Sequence, residues 1–202
     1  MAQELLLLAL HDEKGSVRWV ATSRLPYCLA GALLMELSLM KRLRITTTGP
    51  EVLDRTPTGQ PLLDETLRMI DSAQKVKAPY YWVSKLGRRI KSTKSNLLKG
   101  LVDQGILNRE EHRILGIFPT TRYPSRDDRS RKDITSRVCA VVLRREHPDP
   151  RTTMLISLVY TCALTNSIFD KDERRDARQR LKEIAKPLPI TQAIKKAIQR
   201  AQ

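Results

Sequence analysis

Two segments of this chain are apolar on nearly every side. Residues 26–41, PYCLAGALLMELSLMK, carry Glu36 as their lone acid, and residues 152–168 run through MLISLVYTCALTNSI. A helix with no polar face belongs inside a bundle, so both are predicted as buried central helices. Pro26 suits a first helical turn, where its missing N–H has no partner to lose. The shorter run LLLLAL, residues 5–10, predicts a buried helix that ends at the loop HDEKG.

Other segments are periodic on one face only. The turn TPTG and Pro61 predict a helix over 62–72, with Asp64 and Glu65 in a first turn where acids complement the helix dipole. Pro79 opens a helix that Gly87 stops or bends. Residues 91–104 follow as a helix with Leu97, Leu98, Leu101 and Val102 inward, and Gly105 fits its C-terminal stop. Ile134, Val138, Val141 and Val142 mark one face of a helix over about 133–145. Pro148-Asp149-Pro150 is a break, residues 170–186 read as a charged helix, and residues 190–202 as a basic amphipathic tail. Short strands are expected at 16–21 and 43–48. Two more are expected at 112–118 and 120–123, on either side of Pro119. The fold class is mainly α, a helical bundle around two buried apolar helices.

Composition adds the electrostatics. The 202 residues suit one domain, and 41% apolar residues are enough for a packed core although aromatics make up only 4%. The net charge is +15, which favours phosphate-bearing partners. The charge is concentrated: residues 72–102 hold Lys75, Lys77, Lys85, Arg88, Arg89, Lys91, Lys94 and Lys99 without one Asp or Glu. A solvated surface normally mixes both signs, so this block points to a polyanion, either a nucleic acid or an anionic leaflet.

Enzyme chemistry finds little support. His11, His112 and His147 lack metal-ligand spacing, no nucleophile motif accompanies them, and no Gly-rich phosphate loop is present. Asp127, Asp128 and Asp133 lie among Arg126, Arg129, Arg131 and Lys132, which reads as local charge balance. Cys28, Cys139 and Cys162 read as buried reduced thiols of a cytoplasmic protein. No enzymatic activity, metal or cofactor is expected. The opening MAQELLLLAL has no basic segment before its apolar run, which argues against a secretory signal, and no stretch reaches the about 20 apolar residues of a spanning helix. Any membrane contact is expected to be peripheral.

Four pieces in order, LLLLALHDEKG, AGALLMELSL, PTGQPLLDETL and KSNLLKGLVDQGIL, together resemble the Golgi phosphoprotein 3 family. The likeness is clearest over residues 4–168, and the chain looks like a bacterial-type member forming one such domain with a basic C-terminal tail. The resemblance implies a helical bundle with a protruding β-hairpin. It also implies a peripheral, non-enzymatic membrane protein: eukaryotic members bind phosphatidylinositol 4-phosphate at the Golgi and the cytosolic tails of glycosyltransferases.

Carried onto this chain, the family's headgroup pocket falls on Lys91 and Lys94, with Arg88 and Arg89 beside them. A pocket Trp matches Trp19 across a gap, while a pocket Arg is replaced by Ala30. Lys keeps the charge of the family's Arg pair but not its bidentate fork. The family's inserting hairpin tip falls on Ile114, Leu115, Ile117 and Phe118, with Arg113 and Arg122 flanking it. On composition alone Trp19 and Trp82 read first as core residues. The expected partner is therefore an anionic phospholipid, phosphoinositide or other, with protein tails also possible clients. A helix followed by a hairpin also fits a winged-helix DNA-binding protein, with residues 91–104 as recognition helix. An apolar hairpin tip ranks that alternative second.

Overall fold

The computed structural model describes residues 1–114, 117–185 and 188–201, and the side chains of all of these except 113, 114 and 118. Among the described residues are nine helices and two antiparallel strand pairs, a mainly α fold.

The helices are α1 (Ala2–Ala9), α2 (Leu25–Leu39), α3 (Pro61–Asp71), α4 (Pro79–Gly87), α5 (Ile90–Asp103), α6 (Arg129–Val142), α7 (Pro150–Thr161), α8 (Arg174–Ala185) and α9 (Pro189–Gln199). The strands are β1 (Leu43–Ile45), β2 (Pro50–Val52), β3 (Glu110–Ile114) and β4 (Phe118–Arg122). Prolines open α3, α4, α7 and α9 within their first two positions. At the start of α7 the Asp149 carboxylate accepts from the Thr152 amide at 2.9 Å and from its hydroxyl at 2.6 Å. This satisfies a backbone donor that the helix cannot.

The central position of α2 is the one its all-round apolar pattern demands. It packs against α1, α3, α4, α7 and α9. Gly31 is what lets α9 approach: a Cβ there would stand 2.3 Å from Ile194 Cδ1. Ile190, Ile194 and Ile198 are buried, so the basic amphipathic segment lays its isoleucine face on the bundle and its lysines outward. Leu155, Ile156, Leu158 and Val159 give α7 the second central position.

Charges seal one end of the core. Glu4 and Glu36 share Arg151, with contacts of 2.8 and 2.6 Å, and Glu4 also holds Arg137. Burial opposes the charge on Glu4, but the Met1 amino group, Arg137 and Arg151 outweigh it and hold its carboxyl at about 2. Glu36 is likewise lowered: burial opposes its charge, and Arg151 and the amino group overcome it.

Several local expectations are corrected. Residues 16–21 are not a strand: Val17 bridges Leu10, Arg18 N donates to Ala9 O, and residues Trp19–Ala21 then form a 3-10 turn. The apolar run from 152 does not remain one helix to 168. It ends at Thr161, Ala163 takes a left-handed φ of 61°, and a 3-10 turn follows. The strand pair 112–118 and 120–123 is shifted: Pro119 lies inside β4 opposite Arg113, and β3 begins at Glu110, two residues before the expected strand. The helix expected over 133–145 starts at Arg129, whose amide donates to Asp127 Oδ1 at 2.9 Å.

Candidate functional site

From Pro79 onward the acid-free stretch folds into α4, α5 and the junction between them, while Lys75 and Lys77 lie in the loop before α4. Gly87 closes α4 against α2, where an added Cβ would lie 3.0 Å from Tyr27 Cδ1. The chain then turns through Arg88 and Arg89 and restarts as α5. Thr93, Leu97, Leu98 and Leu101 seat α5 on the core, packing it on α1. Lys91 and Lys99 consequently point to solvent, and Lys94 is half-buried. Burial lowers the pKa of Lys94, and among the described residues no carboxylate lies within 4.0 Å of its ammonium group. No side chain caps the α5 N-terminus. Free amides and the positive end of a helix dipole stand at the start of α5, with Arg88 before it, Lys91 in its first turn and Lys94 one turn on, and among the described residues none of the three has a carboxylate within 4.0 Å.

Arg89 differs from its neighbours. Its Nη1 lies 2.6 Å from Glu65 Oε1 and 3.0 Å from Met69 Sδ, both on α3. The segment PTGQPLLDE explains how α3 comes to offer that carboxylate. Gly59 takes φ 78°, Pro61 starts the helix, and Asp64 accepts from the Thr58 amide at 2.6 Å and its hydroxyl at 2.7 Å. Those bonds lower the Asp64 pKa and fix the loop on the helix. Glu65, the next residue, then faces the α4–α5 junction. Reading Asp64 and Glu65 as helix-start residues missed this tether, because the partners stand 24 positions apart. A signal was available in the opposite charges of Glu65 and Arg89, though nothing local pairs them.

The aromatic cluster serves packing as well as charge. Trp82 is 1% exposed and meets Tyr81 edge-on, with ring centroids 5.4 Å apart. Lys85 Nζ lies 5.1 Å from the Trp82 ring centroid and 5.8 Å from that of Tyr81, so the one cation of α4 rests on its aromatic faces. Trp19 is the opposite case: it is 88% exposed on the 3-10 turn after α1. Ala30, where the resemblance implies a pocket Arg, is 2% exposed inside α2. The cavity beside α5, about 610 Å³, is lined by Gln3, Glu36, Asn96, Lys99, Gly100 and Asp103 among others, and includes neither Lys91 nor Lys94. The junction is an open basic surface.

The hairpin stands on a built base. Tyr123 N donates to Gly15 O, Ser125 N donates to Asp12 O, and Arg131 and Arg18 reach the Asp12 carboxylate. Gly15, at φ 57°, is required there because a Cβ would meet the Tyr123 carbonyl carbon at 2.1 Å. Of the expected tip residues, Ile117 is 73% exposed. Ile114 and Phe118 pair at the last rung of the ladder, while their side chains and all of Leu115 lie outside the described residues.

Other chemistry is sparse. Among the described residues no group of three or more His, Cys, Asp or Glu side chains could hold a metal, and no helix is long and apolar enough to cross a membrane. The three cysteines are free. Burial, together with the adjacent Cys162, pushes the Cys28 thiol well up.

Comparison with known proteins completes the picture. The family model described as Golgi phosphoprotein 3 (GPP34) matches residues 1–201. The vacuolar protein sorting-associated protein 74 of Schizosaccharomyces pombe is 30% identical over 165 residues, covering 72% of this chain and 48% of that protein. The protein of the same name from Eremothecium gossypii is 26% identical over 166 residues, covering 72% of this chain and 49% of that protein. The chain thus spans about half the length of these curated relatives. A family match along almost its whole length, with the bundle and hairpin in place, makes this chain a member of the Golgi phosphoprotein 3 family.

Proposed function

We propose that this chain works as one family domain that binds anionic phospholipid headgroups from the membrane surface. Lys91, Lys94 and Arg88 meet the headgroup phosphate at the N-terminus of α5, and Trp19 and the hairpin tip at Ile117 add shallow apolar contact. Phosphatidylinositol 4-phosphate, the lipid that the family resemblance implies, is the first candidate, with other acidic phospholipids as the broader class. No enzymatic step is part of this reading, and association is peripheral, on the cytoplasmic face.

The observation that carries it is Lys94: a half-buried cation with no carboxylate within 4.0 Å among the described residues, one turn into a helix whose N-terminus has no side-chain cap. Such a charge gains most from a phosphate that replaces its lost water. A Lys or Arg near an anionic leaflet contributes about 1 kcal/mol, so three give weak, salt-sensitive recruitment. Burying a large apolar side chain adds about 1.5–3 kcal/mol. Ala30 removes one family contact and Arg89 is already paired, which supports broad rather than strict headgroup selection.

Cosedimentation with vesicles tests this. Vesicles of phosphatidylcholine alone are expected to leave the protein in solution. Adding phosphatidylserine or phosphatidylinositol 4-phosphate is expected to bring it down, less so at high salt. Equal sedimentation with all three, or retardation of DNA at salt that abolishes vesicle binding, overturns the reading.

A further inference from the structure

A second group of unneutralised cations lies on α8, which packs on α7, whereas α5 packs on α1. Lys171, Arg174, Arg175, Arg178 and Lys182 line a cavity of about 910 Å³ together with Tyr160 and Asn166. Arg174, Arg178 and Lys182, four residues apart, lie along one side of α8 over about 12 Å with Arg175 beside them, and Lys171 stands in the turn before the helix. Among the described residues none of the five has a carboxylate within 4.0 Å. Asp170, Asp172, Glu173 and Asp176 belong to the same segment but do not line the cavity. Glu183 does, and it is held by Arg180 at 3.2 Å.

Two walls are pre-oriented. Arg174 Nε donates to Phe169 O at 3.1 Å and its Nη2 to Asn166 O at 3.2 Å, which fixes the guanidinium plane. Tyr160 separates this cavity from a neighbouring one of about 440 Å³, lined by Arg24 and Lys195. Lys195 Nζ sits 5.0 Å over the Tyr160 ring, and Arg24 Nη1 donates to Thr161 O at 3.2 Å. Tyr160 thus lines both cavities, with five cations in the larger and two in the smaller.

We infer that the α8 groove is a second anion site, for a small ligand carrying several phosphate monoesters on a compact ring, of the inositol polyphosphate class, either free or as the head of a phosphoinositide. Guanidinium forks match phosphate oxygens in pairs, and cations one helical turn apart suit phosphates clustered on one ring. A nucleic acid strand fits poorly. The stripe is short, and the one aromatic wall is already covered by Lys195, leaving no platform on which bases stack.

Calorimetric titration of the full chain with inositol trisphosphate tests the inference, comparing the unmodified protein with Arg175→Ala/Arg178→Ala/Lys182→Ala and with Lys91→Ala/Lys94→Ala. The three α8 side chains are exposed, so folding is expected to be retained, as an unchanged melting temperature would verify. Titration of the unmodified protein is expected to show two sites: the α8 variant to lose the tighter one, by about tenfold or more in affinity, and the α5 variant to keep that one within about twofold while losing the weaker. No binding by the unmodified protein, or equal loss in both variants, overturns the inference. Loss confined to the α5 variant also overturns it, and leaves the headgroup reading of α5 standing. Preferential displacement of the ligand by a single-stranded oligonucleotide overturns it too. Parallel sedimentation with phosphoinositide vesicles separates the two sources. A defect of the α8 variant there assigns a lipid head, and normal sedimentation with lost titration heat assigns a free inositol phosphate.

Discussion

Arg89 Nη1 lies 2.6 Å from Glu65 Oε1, so one cation of the acid-free stretch is neutralised by α3, whereas Arg88 and Lys91 have no carboxylate within 4.0 Å among the described residues. Glu65→Gln removes that neutralisation and adds one free positive charge to the junction. A cation near an anionic surface contributes about 1 kcal/mol, which predicts roughly fivefold stronger sedimentation with anionic vesicles at low salt. The same variant should lose little stability, about 0.2–1 kcal/mol, because both partners are substantially exposed.

Ile117 offers a test of the hairpin that does not disturb the bundle, since it is 73% exposed. Ile117→Asp is expected to weaken vesicle binding by about tenfold or more, the loss of one inserted aliphatic side chain. Its melting temperature should match that of the unmodified protein. Equal vesicle binding would assign the tip no membrane contact.

The closeness of α2 and α9 at Gly31 predicts a packing defect. Gly31→Ala drives a methyl group toward a fully buried Ile194 and should destabilise the fold by about 1–3 kcal/mol in urea titration. Ile194→Val removes the offending Cδ1, so the double variant should recover part of that loss. A strictly additive pair would show that the two residues do not share the cost.

Acid should unfold the protein through Glu4 and Glu36. Their folded pKa values are lowered, that of Glu4 to about 2, from an ordinary value of 4.5. A lowered carboxyl contributes stability above its unfolded pKa and loses it as pH falls through the folded one. Urea midpoints should hold from neutral pH to about 5 and decline from there toward about 2. In Arg151→Met the decline should be shallower and the stability at neutral pH about 3 kcal/mol lower, since two half-buried carboxylates lose a shared partner.

Much of the architecture was legible in side-chain periodicity. The unbroken apolar face of 26–41 required a central helix, and prolines at 61 and 79 marked helix starts. What was hidden depended on backbone conformation or on distance along the chain. Cys162 and Leu164 continue the apolar run of α7, and only the left-handed Ala163 between them ends it. Trp19 looked like core because tryptophan is mostly buried, yet the 3-10 turn leaves it outside. The basic side of α8 was present as a spacing of three and four residues, but it was overlooked because acids alternate with the cations in sequence. In the headgroup region the cations were visible, and the Glu65 tether that sets Arg89 apart from them was not.

Lys94 finally ties occupancy to durability. Lys94 is a cation stripped of part of its water, and among the described residues it has no carboxylate within 4.0 Å, so an apolar residue there is expected to cost less. Lys94→Met should therefore melt higher while binding anionic vesicles less. In the unmodified protein a soluble headgroup analogue should raise the melting temperature with its concentration. Contact of this helix start with an anionic surface would then raise the stability of the folded chain.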